Sequence, residues 1–171
     1  MQSVAWTSRT FTFNLPLEAF RAVVDRLRGT AGRAAEFSEV SEELLSRRWK
    51  ERWSAKENLG HLADLQQLDE QRLREYLAGA VALSAADPAN HVTEAACHNQ
   101  VPIVRLVERL RASRLELVRK LEALTEDEIA RTAFHPRLQQ PMRLLDWAYF
   151  VAEHDDHHLS QARQAVLDAA E

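Results

Sequence analysis

The chain has 171 residues, 46% of them apolar and 28% charged, a globular mixture too apolar for a disordered chain and a length suited to one domain, residues 1–171. Twenty-two Lys and Arg against 26 Asp and Glu leave a net charge of −4, with the arginines spread along the chain; this disfavours duplex nucleic acid, which needs a concentrated positive surface. The longest apolar run, Trp147 to Ala152, falls far short of the roughly 18 residues that suggest a membrane span, so the expected partner is a small molecule.

Four Gly and five Pro are too few for an all-β fold with a turn every few residues and favour long helices. The start Met1 to Trp6 lacks a basic region followed by an apolar one, and the single Cys97 excludes an intrachain disulfide. Both fit a cytoplasmic protein.

Val4 to Phe13 is rich in β-branched and aromatic residues and is expected to form an extended arm. Asn14 offers an N-cap for a first helix with Pro16 in its opening turn; Phe20, Val23, Val24 and Leu27 then recur at helical spacing up to Gly29. A short helix is expected at Ser41 to Arg47. The second long helix opens with the capping box Ser54-Ala55-Lys56-Glu57 and should run to about Ala78, with Leu62, Leu65, Leu68, Leu73 and Tyr76 on one stripe and Asp69 inside it. Gly79 to His98 reads as a long connection. The third long helix covers about Asn99 to Ala123, and a second capping box, Thr125 to Glu128, starts a short helical piece. A loop through His135, Pro136 and Arg137 to Pro141 then precedes the fourth long helix, about Met142 to Ala169. Four such helices predict an all-α four-helix bundle, and the long connections allow neighbours that are not consecutive in the chain.

Chemistry concentrates in the histidines. His154 and His158 stand four apart, about 40° around a helix, so both rings project from one face and can share a metal ion. His157 falls toward the polar side with Glu153 and Gln164, whereas His158 aligns with Trp147, Val151 and Ala165. A chelating pair leaves a divalent ion under-coordinated, and His61, at the margin of the second helix's apolar stripe, is the best third donor. Three neutral His leave a position open for water or substrate, the arrangement of a catalytic site. Taken singly, an i, i+4 His pair or a core-margin His is usually structural; the three together carry more weight.

Other metal signatures fit less well. No His follows a Glu by three residues, as a ferritin-like di-iron bundle requires. His154-Asp155-x-x-His158 has Asp where the zinc-protease helix has its Glu base. A His-Asp phosphohydrolase could read His61, His154-Asp155 and Asp168, but Asp168 lies in the chain's last turn.

The segments Trp53-Ser54-Ala55-Lys56-Glu57-Asn58-Leu59-Gly60-His61-Leu62 and Ala152-Glu153-His154-Asp155-Asp156-His157-His158-Leu159 resemble the DinB-like, or YfiT-like, metal-dependent four-helix-bundle family, which is distinct from the DNA polymerase of similar name. Weaker likeness lies at Arg26 to Thr30, His98-Asn99 and His135 to Leu138, and the resemblance spans about Phe11 to Gln164. It implies a DinB/YfiT-like bundle with long crossovers, often a homodimer, and a divalent ion, nickel or zinc, held by three His that map onto His61, His154 and His158. Members include transferases and isomerases that use low-molecular-weight thiols, and others described as hydrolases. Many carry an acidic residue on the turn after the first His; here Gln66 and Gln67 stand there, between Asp64 and Asp69.

The expected function is thus a metal-dependent transferase that activates a low-molecular-weight thiol for attack on an electrophile. The alternatives are a hydrolase working through metal-bound hydroxide and a non-catalytic metal-binding or interaction bundle. Asp155, in the apolar stripe, either orients a metal-bound His or is a buried Asp paired with backbone or Arg. His135 and Arg137 could receive a carboxylate of a thiol cosubstrate, against the usual reading of a loop Arg as a surface or capping contact. Cys97 reads as a small buried hydrophobe and Trp53 as a seal on the bundle end.

Overall fold

The computed structural model describes residues 6–171. Its long helices are α1 (Phe20–Ala35), α3 (Ala55–Asp64) continued by α4 (Gln66–Leu77), α6 (Ile103–Glu122) and α8 (Leu144–Ala169). Shorter ones are α2 (Glu42–Ser46), α5 (His91–Ala95) and α7 (Glu126–Ile129). Helix α1 packs on α6 and α8, and α3 packs on the same two, so the order around the bundle is α1–α6–α3–α8. The connection from α1 to α3 therefore crosses the bundle, as does that from α6 to α8, while α3 and α6 are neighbours.

Several local expectations change. Residues 6–8 form a 3-10 turn and Phe11 and Phe13 pack against the core, while Val4 and Ala5 lie outside the described residues. Asn14 does not cap α1. Its N–H, like that of Leu15, donates at 3.3 Å to Asp146 Oδ1 in the first turn of α8, and a 3-10 turn at Leu17–Ala19 leads into the helix. Gly29 does not end α1 either, because Thr30, Ala31 and Ala34 continue its buried face and packing outweighs the roughly 1 kcal/mol that Gly costs in a helix.

The capping box at Ser54 forms as expected: Ser54 Oγ accepts the Glu57 N–H at 3.1 Å and Glu57 Oε2 accepts the Ser54 N–H at 2.8 Å. The second long helix is interrupted at Leu65, whose N–H still bonds His61 O at 3.2 Å. The segment expected as a loop before α8 is a β-hairpin: β1 (Thr132–His135) pairs antiparallel with β2 (Gln140–Arg143) in the register Thr132↔Arg143 to His135↔Gln140. Phe134 also exchanges backbone hydrogen bonds with Val81 and Leu83, at 2.8 and 2.9 Å, pinning the connection after α4 to the hairpin.

Two apolar clusters fill the bundle, one around Leu27, Trp147 and Leu144, the other around Leu59, Leu110 and Leu159. One buried polar network joins the four long helices. Arg114 on α6 donates two 2.8 Å bonds to Asp155 on α8, one of 3.1 Å to Asp69 on α4 and one of 3.3 Å to Leu62 O on α3, while Thr30 on α1 donates to Asp155 at 2.9 Å. Asp155 is thus the buried Asp paired with Arg. No helix of the described residues is long and apolar enough to cross a membrane.

Candidate functional site

The capping box starts α3 so that His61 falls two turns along it, on the face turned to α8. There its ring centroid lies 4.6 Å from that of His158 and 5.3 Å from that of His154; the latter two are 4.5 Å apart. One nitrogen from each of the three lies within 4.8 Å of the others. His157 is outside this group and packs against Trp6 and His158, with centroids 5.5 and 5.1 Å away.

Neighbouring side chains set two of the three rings' tautomers. His158 Nδ1 is 2.8 Å from Asn58 Oδ1, and because the Asn58 amide donates to Ser54 O at 2.9 Å, its carbonyl must accept the His158 Nδ1–H. His61 Nδ1 is 3.1 Å from Thr93 Oγ1, whose hydroxyl donates to Asp64 Oδ2 at 3.0 Å, so here too the Nδ1–H donates. Both rings therefore carry their lone pair on Nε2, as a metal ligand requires. Asp64 also accepts from His98 Nε2 at 2.8 Å and from Arg109 at 2.6 Å. His98 sits directly on the α3 backbone, where only Gly60 leaves room: a Cβ at that position would lie 2.3 Å from the imidazole.

Burial keeps the cluster neutral. It pushes His61 down to about 4, with Asp64 opposing the shift and His98 and Arg114 reinforcing it. His154 and His158 lie well below the ordinary His value, first through burial and then through the neighbouring imidazoles. Trp53, expected to seal the bundle end, covers the cluster, 5.0 Å from the His61 ring and 5.9 Å from that of His158, and its Nε1 donates to Glu94 at 2.6 Å.

His154 opens onto a cavity of ≈ 70 Å³ walled by Trp6, Leu68, Phe150 and Val151 and by the polar groups of Asp69, Arg72, His135 and Arg137. Cys97 is exposed, not buried as expected: it stands on the turn between α5 and a 3-10 turn, in a left-handed conformation (φ 51°). Asp168 pairs with Arg52 at 3.3 Å. Sequence reasoning did not identify Asn58, Thr93 or Trp6 as parts of the site. Asn58 lies three residues before His61, hence on the same helical face, which is a usable signal; Thr93 and Trp6 arrive from connecting segments that carry none.

The fold resembles that of YfiT from Bacillus subtilis, described as a probable metal-dependent hydrolase with an unusual four-helix bundle topology: the TM-score is 0.77 at 16% identity, over 92% of this chain and 91% of that one. A search of curated protein sequences gives no significant match. The family model of the DinB superfamily matches residues 17–162, which include all three histidines and every long helix but the last turns of α8, and the chain belongs to that superfamily.

Proposed function

We propose that this protein is a divalent-metal-dependent enzyme in which His61, His154 and His158 hold the ion and a low-molecular-weight thiol is transferred to a small electrophile. The reading is carried by one observation: three neutral imidazoles, two with Nε2 freed by a fixed Nδ1–H bond, converge beside a cavity. An all-imidazole donor set suits zinc or nickel. Such an ion supplies Lewis acidity that lowers the pKa of a thiol or water, making its anion available near neutral pH.

The surrounding residues favour the thiol. Asp64 is committed to His98, Thr93 and Arg109, and Asp155 to Arg114 and Thr30, so neither is free to carry a water's proton. A thiol ionises readily enough to need no such base. Trp53 and Trp6 cover the rings and limit the access of water. A second reading, hydrolysis, has its own support: Asp69 lines the cavity and burial pushes its carboxyl up to about 6, a useful value for general acid–base work. The description of YfiT as a probable hydrolase points the same way.

The test is consumption of several bacterial low-molecular-weight thiols by a soft electrophile, with metal-loaded wild type and His158→Ala. Acceleration that His158→Ala abolishes supports transfer. His158-dependent hydrolysis of an ester, amide or phosphoester, without thiol turnover, supports the second reading. Metal-loaded protein that does neither is a binding bundle, and both enzyme readings then fail.

A further inference from the structure

The cavity beside the three histidines holds a donor that nothing in the fold satisfies. His135 is 1% exposed; its Nδ1 accepts the Leu138 N–H at 3.3 Å, so the proton sits on Nε2, and that buried Nε2–H has no partner among the described residues. An unmade hydrogen bond of this kind costs about 1–3 kcal/mol, and such groups are rare in native proteins unless a ligand or water completes them. Arg137 stands beside it. Its guanidinium donates to Trp6 O at 3.0 Å and lies 5.5 Å over the Trp6 ring and 5.9 Å over the Phe150 ring, yet no carboxylate among the described residues pairs with it.

The other charges facing the cavity are already balanced. Together Asp69 and Asp155 offset Arg114, which donates to both, and Arg72, on which Asp69 is the leading attractive charge and whose Nε and Nη2 bond Ser84 O at 3.0 and 2.9 Å. What is left over is one neutral N–H donor and one cation, in a space otherwise walled by Leu65, Leu68, Phe150 and Val151.

We propose that this cavity is a carboxylate subsite, in which His135 Nε2–H and the Arg137 guanidinium receive the carboxylate of a small, largely apolar acid. A neutral carbonyl would satisfy His135 but forgo the charge-assisted bond that the Arg137 guanidinium offers a carboxylate. A water needs roughly 10–15 Å³ of such volume, so ≈ 70 Å³ has room for an acid of a few carbons, whereas most of a sugar-bearing or peptide thiol would stand outside it. The acid is accordingly the electrophile, held with its apolar part toward His154, and the thiol reaches the centre from elsewhere. This last step rests on the enzyme reading above; the subsite itself does not.

Crotonate, its neutral isostere crotonamide, and inorganic phosphate serve as probes in calorimetric titrations of wild type and variants, each in metal-loaded and chelator-stripped form. Crotonate should bind at least tenfold more tightly than crotonamide or phosphate. Arg137→Gln and His135→Leu should each weaken it at least tenfold, and stripping the metal should leave it in place, so that failure of the metal reading would not touch this one. Arg137 is exposed, so Arg137→Gln carries the test if His135→Leu does not fold. Equal affinity for the amide or for phosphate overturns the assignment. So does crotonate binding that survives Arg137→Gln but vanishes on metal removal, because the carboxylate would then be a ligand of the ion.

Discussion

Asn58→Ala tests whether the hydrogen bonds around the histidines are part of a metal centre. Asn58 is 3% exposed and its carbonyl accepts the His158 Nδ1–H at 2.8 Å. The Ser54 carbonyl that its amide also serves keeps the Asn58 backbone N–H at 3.1 Å, and the Trp53 carbonyl loses a long contact of 3.4 Å, so the loss falls chiefly on His158. Leaving one buried donor unpaired costs about 1–3 kcal/mol in the metal-free protein. Removing the outer partner of a metal-bound His costs about 10–100-fold in affinity, or about 1.4–2.7 kcal/mol. At a fixed metal concentration well above both dissociation constants that loss comes straight off the stabilisation conferred by binding, and at about 2–4 °C per kcal/mol for a chain of this size the metal-dependent rise in Tm should shrink by about 3–11 °C. Chelator-competition titration gives the affinity, and thermal melts with and without metal give the second figure. An affinity within twofold of wild type, with the apo protein destabilised as expected, would refute the role: the Asn58–His158 bond would then be packing and nothing more.

Arg114→Leu should cost about 3–5 kcal/mol in urea unfolding, since it strands Asp155 and Asp69 in the bundle centre; a loss below 1 kcal/mol would show that the network does not hold the four helices. Gly60→Ala should destabilise by about 1–3 kcal/mol through its clash with His98, and the double change Gly60→Ala, His98→Ala should recover part of the Tm; a melt like that of wild type for the single change would contradict the packing. Burial, helped by Arg72 and Arg137, pushes His135 down to about 4 from 6.5. The unfolded chain therefore binds this proton first, and the stability tied to neutral His135 is full above about pH 6.5 and lost as pH falls toward 4. Relative to wild type, His135→Gln should gain up to about 3 kcal/mol across that window, and parallel pH profiles of the two proteins would contradict it.

What the sequence could and could not disclose follows from how local each signal is. The capping boxes at Ser54 and Thr125 are reciprocal contacts within four residues, and both form. The His154–His158 pair follows from helical spacing, and the choice of His158 over His157 from the apolar stripe they share; His61 needed only its place on the opposing face. By contrast, the continuation of α1 through Gly29 depends on how Thr30, Ala31 and Ala34 pack, which local propensity does not encode. The hairpin at His135 escaped notice because each strand has four residues and one contains Pro141, and because its partner, the segment around Val81, lies more than 50 residues away. Arg114 lies on a helix rich in charges with no local feature to single it out, and only the meeting of four helices shows that it neutralises Asp155.

Three histidines, from α3 and α8, are expected to hold one divalent ion. Elemental analysis of tag-free protein after extensive dialysis measures it directly. About one ion per chain is expected in wild type, with His61→Ala, His154→Ala and His158→Ala each losing it and His157→Ala and His91→Ala keeping it. Wild type that retains no divalent metal when supplied with zinc or nickel, or metal that stays with His158→Ala and leaves with His157→Ala, would contradict the account.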